Sequence, residues 1–453
     1  IFGGVRYFKS NLRRKGVRLL VPWVFSSLLM GAIVVLPATA MAQTPAQQET
    51  ELALDEALSM ETLWDTLIDT FIQTYRPLGF RWLTTAKDSA QITRKNIVYL
   101  GMPAGQTVVR TRRGKIVNVL VQLYNRGDNG EISRREFEAL IDRAGQAVTA
   151  ATGMKPVDRG RDAGSAVKAE GLIWKTPKGT YLLEYSASRN PFRAEFVRLE
   201  LTPKEEEKSL TQKLLEKPTV FRGVDHVQRN SETGDVVIAG IPMVDQGQKG
   251  YCVPASSERV LRYYGIRVDA NELAQLANSS AEGGTSVQAL IDSLKSLTAR
   301  LRIRTRALME FDYRQFNQMV EEYNRVARRK GTAQVPTLGA QTKLEDIYSR
   351  MDADTLREAR TKSKAGVDKF ERLIETNIDK GIPLLWSCML GVFPEPKRTS
   401  QTTGGHMRLI IGYNKKTKEI LFSDSWGAGH ECKRLPLVDA YCMTTGLATV
   451  EPL

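Results

Sequence analysis

Cysteine and histidine are scarce in this sequence of 453 residues, which has four cysteines and three histidines. No cysteine precedes Cys252. The absence of a cysteine near the N-terminus argues against a bacterial lipoprotein. If Cys252 is a catalytic thiol, only one disulfide can form among the other three cysteines (Cys388, Cys432 and Cys442). Cys432 and Cys442 are the closest pair in sequence, but spacing alone does not establish a bond between them.

Acidic residues are absent from residues 1–42, which contain basic residues at Arg6, Lys9, Arg13, Arg14, Lys15 and Arg18. This segment contributes a large part of the formal net charge of +14. The remaining chain has a mild basic bias, which is compatible with association with an anionic cell envelope. It contains no nucleic-acid-binding motif, so we expect no nucleic acid partner.

The N-terminal segment has the pattern of an export signal. Its basic residues are followed by an apolar stretch from Leu19 to Leu36 and by small residues up to Ala42. We predict a signal peptide over residues 1–42 and a periplasmic or secreted protein. The alternative is an uncleaved membrane anchor over residues 19–41, with the rest of the chain outside the cytoplasm.

The region after the signal reads as a linker followed by an α+β domain. We predict a linker at 43–58, a domain at 59–203 and a second linker at 204–233. The predicted helices are Met60–Tyr75 and Arg134–Thr152, because their apolar residues recur at helical spacing. The predicted strands are Ile116–Tyr124, Leu172–Trp174, Tyr181–Tyr185 and Ala194–Leu201. The domain therefore combines a helix with an antiparallel sheet.

The residues around the first cysteine have the pattern of a loop that leads into a helix. Gln246-Gly247 lies in the loop, and Cys252 begins a run with helical spacing that extends to Tyr264 and ends at Gly265. Unpaired N–H groups at a helix N-terminus favour a thiolate. Gln246 is close enough for its side-chain amide to line an oxyanion hole with the Cys252 N–H. The alternative for Cys252 is a buried structural cysteine.

A second group of candidate residues lies on a predicted β-hairpin. Strands Met407–Tyr413 and Ile420–Asp424 are joined by a turn. Folding the hairpin about residue 416 places His406 opposite residue 426, which makes Asp424 its diagonal neighbour at roughly 7–8 Å between backbones. The sequence therefore predicts a His–Asp pair. Gly405 would let a substrate backbone approach His406 closely.

Taken together, these motifs resemble papain-like cysteine peptidases. In that family a Gln-Gly pair precedes the nucleophilic Cys, a His begins a later strand, and an Asn-Ser-Trp-Gly motif follows. Gln246, Cys252 and His406 match in order and spacing, whereas Asp424 stands in place of the Asn before Ser425-Trp426-Gly427. The bacterial double-glycine leader peptidases, which process bacteriocins, use Asp in this role. The chain resembles that branch without its transporter domains.

The resemblance also implies a fold and a substrate cleft. It implies a papain-like domain at 234–453, with a central helix packed on an antiparallel sheet and a helical insertion at about 312–380. In this family a Gly-Thr-Ser turn lies beside the cleft, as Gly284 and Thr285 would here. With Gly405 and Trp426 they are our cleft candidates. The expected fold class is thus α+β, with a papain-like domain preceded by a separate α+β domain.

We expect an exported cysteine peptidase that hydrolyses peptide bonds. The resemblance implies that Cys252 attacks the carbonyl, that His406 transfers protons and that Asp424 orients it. Gln246 would stabilise the oxyanion. We expect a peptide or protein substrate and no metal or organic cofactor, and the sequence does not predict the oligomeric state.

Two other functional classes remain open. One is a transglutaminase-like acyl transferase that uses the same triad, and the other is a catalytically silent envelope-binding protein. The sequence also leaves open whether the N-terminal domain is a binding module or an inhibitory pro-region.

Overall fold

The computed structural model describes residues 51–159, 166–204, 221–248, 250–279, 285–395 and 401–453. The predicted signal peptide, the alternative anchor and the first part of the predicted linker at 43–58 lie outside these residues, as do residues 205–220 of the second linker. In the described ranges, no helix is both long enough and apolar enough to cross a membrane.

The N-terminal part of the chain is built on two sheets. Its strands are β1 Leu52–Ala53, β2 Arg81–Trp82, β3 Ser89–Ile92, β4 Ile97–Tyr99, β5 Met102–Ala104, β6 Thr107–Arg112, β7 Lys115–Asn125, β8 Val157–Asp158, β9 Glu170–Lys175, β10 Gly179–Arg189 and β11 Phe192–Pro203. The larger sheet has the order β2-β3-β6-β7-β11-β10-β9-β8, and the smaller one has the order β1-β4-β5. We call the larger one the N-terminal sheet.

The N-terminal helices are α1 Met60–Leu63, α2 Ile68–Tyr75, α3 Arg126–Asn129 and α4 Arg134–Thr152. Helix α4 has the predicted bounds and begins with a capping box between Ser133 and Glu136. The single helix predicted over residues 60–75 is wrong, because the chain is extended at Leu67. Leu67 forms a β-bridge with Lys115, and this tertiary contact overrides the helical periodicity.

The end of the expected first linker belongs to the folded core. Residues 52–53 pair in parallel with β4, and Leu54 and Leu58 are fully buried. The leucines contribute apolar surface to the core, so this stretch is ordered structure rather than a linker. The end of the second expected linker is likewise part of a sheet, because residues 227–229 pair with residues 236–238.

The C-terminal part is built on an antiparallel sheet. Its strands are β12 Val227–Arg229, β13 Asp235–Ile238, β14 Ile303–Met309, β15 Leu384–Leu390, β16 Gly404–Asn414, β17 Glu419–Ser423, β18 Lys433–Pro436 and β19 Thr444–Pro452. The order is β12-β13-β16-β15-β19-β14, and β17 pairs with β16 and with β18. Its helices are α5 Cys252–Tyr263, α6 Ala270–Leu276, α7 Val287–Ser296, α8 Thr298–Leu301, α9 Tyr313–Lys330, α10 Leu344–Tyr348, α11 Ala353–Thr361, α12 Lys364–Ile378 and α13 Leu437–Met443.

Helices cover both faces of this sheet. On one face, Val260 and Leu261 of α5 share a hydrophobic core with Leu409 and Ile411 of β16. On the other face, helices α9 to α12 pack in a core that includes Ile410. Alternate residues of β16 therefore enter different cores, as the pleat of a strand requires. This arrangement confirms the predicted α+β class, with a central helix on an antiparallel sheet and a helical segment within residues 312–380.

Candidate active site

Cys252 lies at the first residue of α5 and is partly exposed, so its thiol is accessible at the helix N-terminus. Gly247 turns the chain into this helix with a positive φ of 67°. The preceding residue, Tyr251, is buried. Of the other thiols, those of Cys388 and Cys442 are buried. All four cysteines are free, so Cys432 and Cys442 are not bonded to each other.

His406 and Asp424 form a buried hydrogen-bonded pair, as the folded hairpin predicts. His406 Nε2 lies 2.7 Å from Asp424 Oδ1, and both side chains are fully buried. The ring of Trp426 stacks on His406, with 5.9 Å between the centroids. His406 Nδ1 makes no close hydrogen bond to any described residue, and the Cys252 thiol is near enough to influence the protonation of this ring.

Asp424 is held on its other side by Arg408, which the motif comparison does not reveal. Arg408 Nε donates to Asp424 Oδ2 at 3.0 Å. Its two terminal nitrogens donate to the two carboxylate oxygens of Glu395 at 2.8 and 3.0 Å. Leu409 pairs with Ser423, so the same register puts Arg408 opposite Asp424. That register was the signal available in the sequence.

A second buried arginine joins the central helix to the same segment. Arg259 of α5 donates to the Asp424 carbonyl oxygen at 3.0 Å and to the Pro242 carbonyl oxygen at 2.8 Å. It also donates to the Ser423 hydroxyl oxygen at 2.5 Å. Burial lowers the pKa of Arg259 to about 10 despite the opposing effect of Asp424, so the side chain remains charged at neutral pH. The helix that bears Cys252 is thereby tied to the chain that bears Asp424.

The electrostatics of the pair favour an imidazolium beside a carboxylate. Burial favours the neutral imidazole, but the Asp424 carboxylate and the Cys252 thiol outweigh burial and raise the pKa of His406 to about 9. Burial also opposes ionisation of Asp424, yet His406, Arg408 and Lys433 together hold the pKa of Asp424 well below its usual range. At neutral pH both groups are therefore charged.

Gln246 lies beside the His406–Asp424 pair, and the oxygen of its side-chain amide already accepts a hydrogen bond. Its backbone N–H donates to the Ser425 carbonyl oxygen at 2.9 Å, and its side-chain Oε1 accepts from the Ser425 hydroxyl at 2.6 Å. The hydrogen bond from Ser425 uses the oxygen of the side-chain amide and not its NH₂ group. An amide fixed through its oxygen has the features of an oxyanion donor.

The cleft candidates have different positions. Thr285 donates to the Gly250 carbonyl oxygen at 3.1 Å, so it contacts the loop before Cys252. Gly405 is exposed, directly before His406. Trp426 covers the His406 ring and is partly exposed. Gly284 lies outside the described residues.

The other histidines have other surroundings. His226 stacks on Phe221, with 5.1 Å between ring centroids. His430 is buried, and its backbone oxygen accepts the Asp424 N–H at 2.9 Å. Within the described ranges, no group of three or more His, Cys, Asp or Glu side chains could hold a metal ion.

Comparison with known proteins shows which family the C-terminal region is similar to. Residues 238–443 match the model of the Peptidase_C39 like family. No curated protein matches the chain. Among solved structures, xylellain, a cysteine protease from Xylella fastidiosa, is similar at 12% identity and a TM-score of 0.27, over 52% of this chain and 91% of its own. The family match confirms the predicted resemblance to papain-like, C39-type peptidases over residues 238–443 and identifies a cysteine-type peptidase.

Proposed function

We propose that this peptidase is exported and hydrolyses peptide bonds with a Cys252–His406–Asp424 triad. The basic and apolar pattern of residues 1–42 supports export. The observation that carries the triad is the buried pair in which His406 Nε2 binds Asp424 at 2.7 Å. This bond leaves Nδ1 for the thiol of Cys252, so one ring nitrogen orients the imidazole and the other exchanges the proton.

In this mechanism the Cys252 thiolate attacks the scissile carbonyl carbon of a peptide or protein substrate. His406, which holds the thiol proton, passes it to the leaving amine, and the acyl-enzyme is then hydrolysed by a water that His406 deprotonates. The side-chain N–H of Gln246 and the backbone N–H of Cys252 stabilise the oxyanion of each tetrahedral intermediate. Arg408 acts through Asp424 as a positioning residue, because it keeps that carboxylate ionised and correctly oriented.

A comparison of wild type with Cys252→Ala tests the function. Both proteins are incubated with a peptide library, and cleavage products are identified by mass spectrometry. We expect cleavage by the wild type and none by the variant, with Cys442→Ala as the control because Cys442 is a buried core thiol. Substantial cleavage by Cys252→Ala would overturn the mechanism.

The same assay separates the other two classes. Incorporation of an added primary amine into peptides, without cleavage, would identify an acyl transferase. Failure of Cys252 to react with any thiol-directed inhibitor, together with the absence of cleavage, would identify a silent binding protein. Binding of the wild type to isolated cell envelopes tests the proposed envelope association separately.

A further inference from the structure

The N-terminal sheet contacts the loop that carries Gln246 through one buried carboxylate. Asp245, next to Gln246, accepts a hydrogen bond from Gln91 Nε2 at 2.5 Å and one from Arg81 Nη2 at 3.3 Å. Gln91 belongs to β3 and is almost completely buried, whereas the Arg81 side chain is largely exposed. The buried contact is therefore the one that water competes with least.

Asp245 in turn shapes the backbone on both sides of Gln246. Its Oδ1 accepts the Gly247 N–H at 3.0 Å, which closes a turn around Gln246. Gly247 has the positive φ that this turn requires. The Gln246 N–H is held by the Ser425 carbonyl oxygen, so the residue is fixed from two directions. If the Asp245 side chain rotated, the Gly247 N–H would lose its acceptor, and only the bond from the Gln246 N–H to Ser425 would remain.

The orientation of the Gln91 amide is itself determined. Gln106 Nε2 donates to Gln91 Oε1 at 2.8 Å, which leaves Gln91 Nε2 to face Asp245. Gln106 donates to Gln91, and Gln91 donates to Asp245. The donors therefore lie on the N-terminal sheet, and the final acceptor lies in the loop.

We propose that Gln91 is a positioning residue for the oxyanion hole, and that the N-terminal sheet is thereby part of the active enzyme rather than an inhibitor of it. Gln91 acts through Asp245 on the backbone of Gln246, without touching substrate. This inference rests on the proposed role of Gln246 as an oxyanion donor. It assigns the N-terminal sheet a supporting function in turnover.

The test replaces the hydrogen-bond donor that faces Asp245 with an acceptor, in the whole protein. Gln91→Glu keeps the acceptor for Gln106 but sets a carboxylate against Asp245. We expect kcat to fall about 10–100-fold, less than on loss of an oxyanion donor itself, with KM changed by less than about threefold. The rate of Cys252 alkylation by iodoacetamide should stay near the wild-type value. Adding Asp245→Asn should restore most of kcat, since its amide can donate to the new carboxylate while its oxygen still accepts the Gly247 N–H.

Asn118→Asp is the matched control. Asn118 is a part-buried amide of the same sheet that donates to Glu200 at 2.6 Å and does not contact Asp245. We expect this variant to keep kcat, and thermal unfolding of all variants measures any general loss of stability. An equal fall of kcat in the control, or no rescue in the double variant, would overturn the proposal. A wild type that cleaves, together with an inactive Cys252→Ala, would leave the proposed function standing in either case.

Discussion

The two sides of the candidate active site are held by different parts of the chain. The His406–Asp424 side is fixed from within the C-terminal sheet, by the fully buried Arg408 and its partner Glu395. The Gln246 side is held by Ser425, which follows Asp424, and in addition by Gln91 of the N-terminal sheet, which contacts the neighbouring Asp245. The oxyanion side therefore has a support from the N-terminal sheet that the His406–Asp424 side lacks. Changes on the first side should alter the pH dependence of the reaction, whereas changes on the second should alter turnover alone.

The largest effect is expected on the His–Asp side. Asp424→Ala removes the partner of His406 and leaves Arg408 paired with Glu395. We expect turnover to fall by about 10³–10⁴-fold, the scale seen when the orienting residue of a triad is lost. Steady-state kinetics on a cleaved peptide measure this loss. Turnover close to that of the wild type would show that another residue orients His406.

Asp424→Asn sharpens this prediction, because papain-like enzymes carry Asn at this position. An Asn oxygen can still accept from His406 Nε2, so this variant should retain more activity than Asp424→Ala. Its NH₂ group, however, would face the Arg408 Nε donor that now lies 3.0 Å from Oδ2. We therefore expect Asp424→Asn to gain activity when Arg408→Met is added, since Glu395 is partly exposed and can be hydrated. A further loss in the double variant would contradict this account of the Arg408 contact.

The next largest effect is expected at Gln246. Gln246→Ala should lower kcat by roughly 10²–10³-fold, because the donor acts mainly on the developing oxyanion. KM should change far less, and Cys252 should still react with iodoacetamide, because His406 and the helix N-terminus remain. Single-turnover kinetics and alkylation rates measure the two properties separately. Near-normal turnover would remove the oxyanion assignment and favour the transferase class.

The pH profile should show a smaller and more specific difference between the two sides. The imidazolium of His406 is lost as pH rises through its pKa of about 9, so kcat/KM of the wild type should decline above that pH. Asp424→Asn removes the carboxylate that raises this pKa, and the decline should begin at lower pH. Gln91→Glu should not change the pH at which kcat/KM begins to decline. An unchanged basic limb in Asp424→Asn would show that Asp424 does not set the pKa of His406.

The same pair should affect stability with the corresponding sign. The folded-state pKa of His406 lies above its ordinary value of 6.5, so its stabilising contribution is complete below about pH 6.5 and is lost as pH rises through 9. The pKa of Asp424 is lowered, so its contribution is lost at acid pH instead. Urea unfolding at pH 6 and at pH 10 should show a smaller difference for Asp424→Asn than for the wild type.

The smallest effect is expected at the core thiols. Burial raises the pKa of Cys388 and of Cys442 to about 12, so both are neutral thiols at physiological pH. Cys442→Ala and Cys388→Ala should each keep turnover within a few-fold of the wild type, and iodoacetamide should still modify Cys252. Cys388 pairs with His406 across the sheet, so it should show the larger change of the two. Loss of alkylation at Cys252 in either variant would contradict this expectation.

The two sides also differ in how much of them the sequence predicts. The approach of His406 to Asp424 follows from a short hairpin, because register is local and a turn determines it. The same register would have revealed Arg408. The contact between Gln91 and Asp245 could not be predicted in this way, since it joins a strand to a loop 154 residues away and leaves no periodic pattern. The break of the predicted helix at Leu67 has the same cause, because the bridge to Lys115 is tertiary.

Gly127 shows how closely the two parts of the chain fit. A Cβ atom built on this glycine would lie 2.7 Å from the ring of Tyr251, the residue before Cys252, and such an approach is too close for two carbon atoms. A side chain here would require the buried ring of Tyr251, which directly precedes the helix that bears Cys252, to move. A chimaera that joins this peptidase to another N-terminal region must therefore also supply a surface without a side chain at this point.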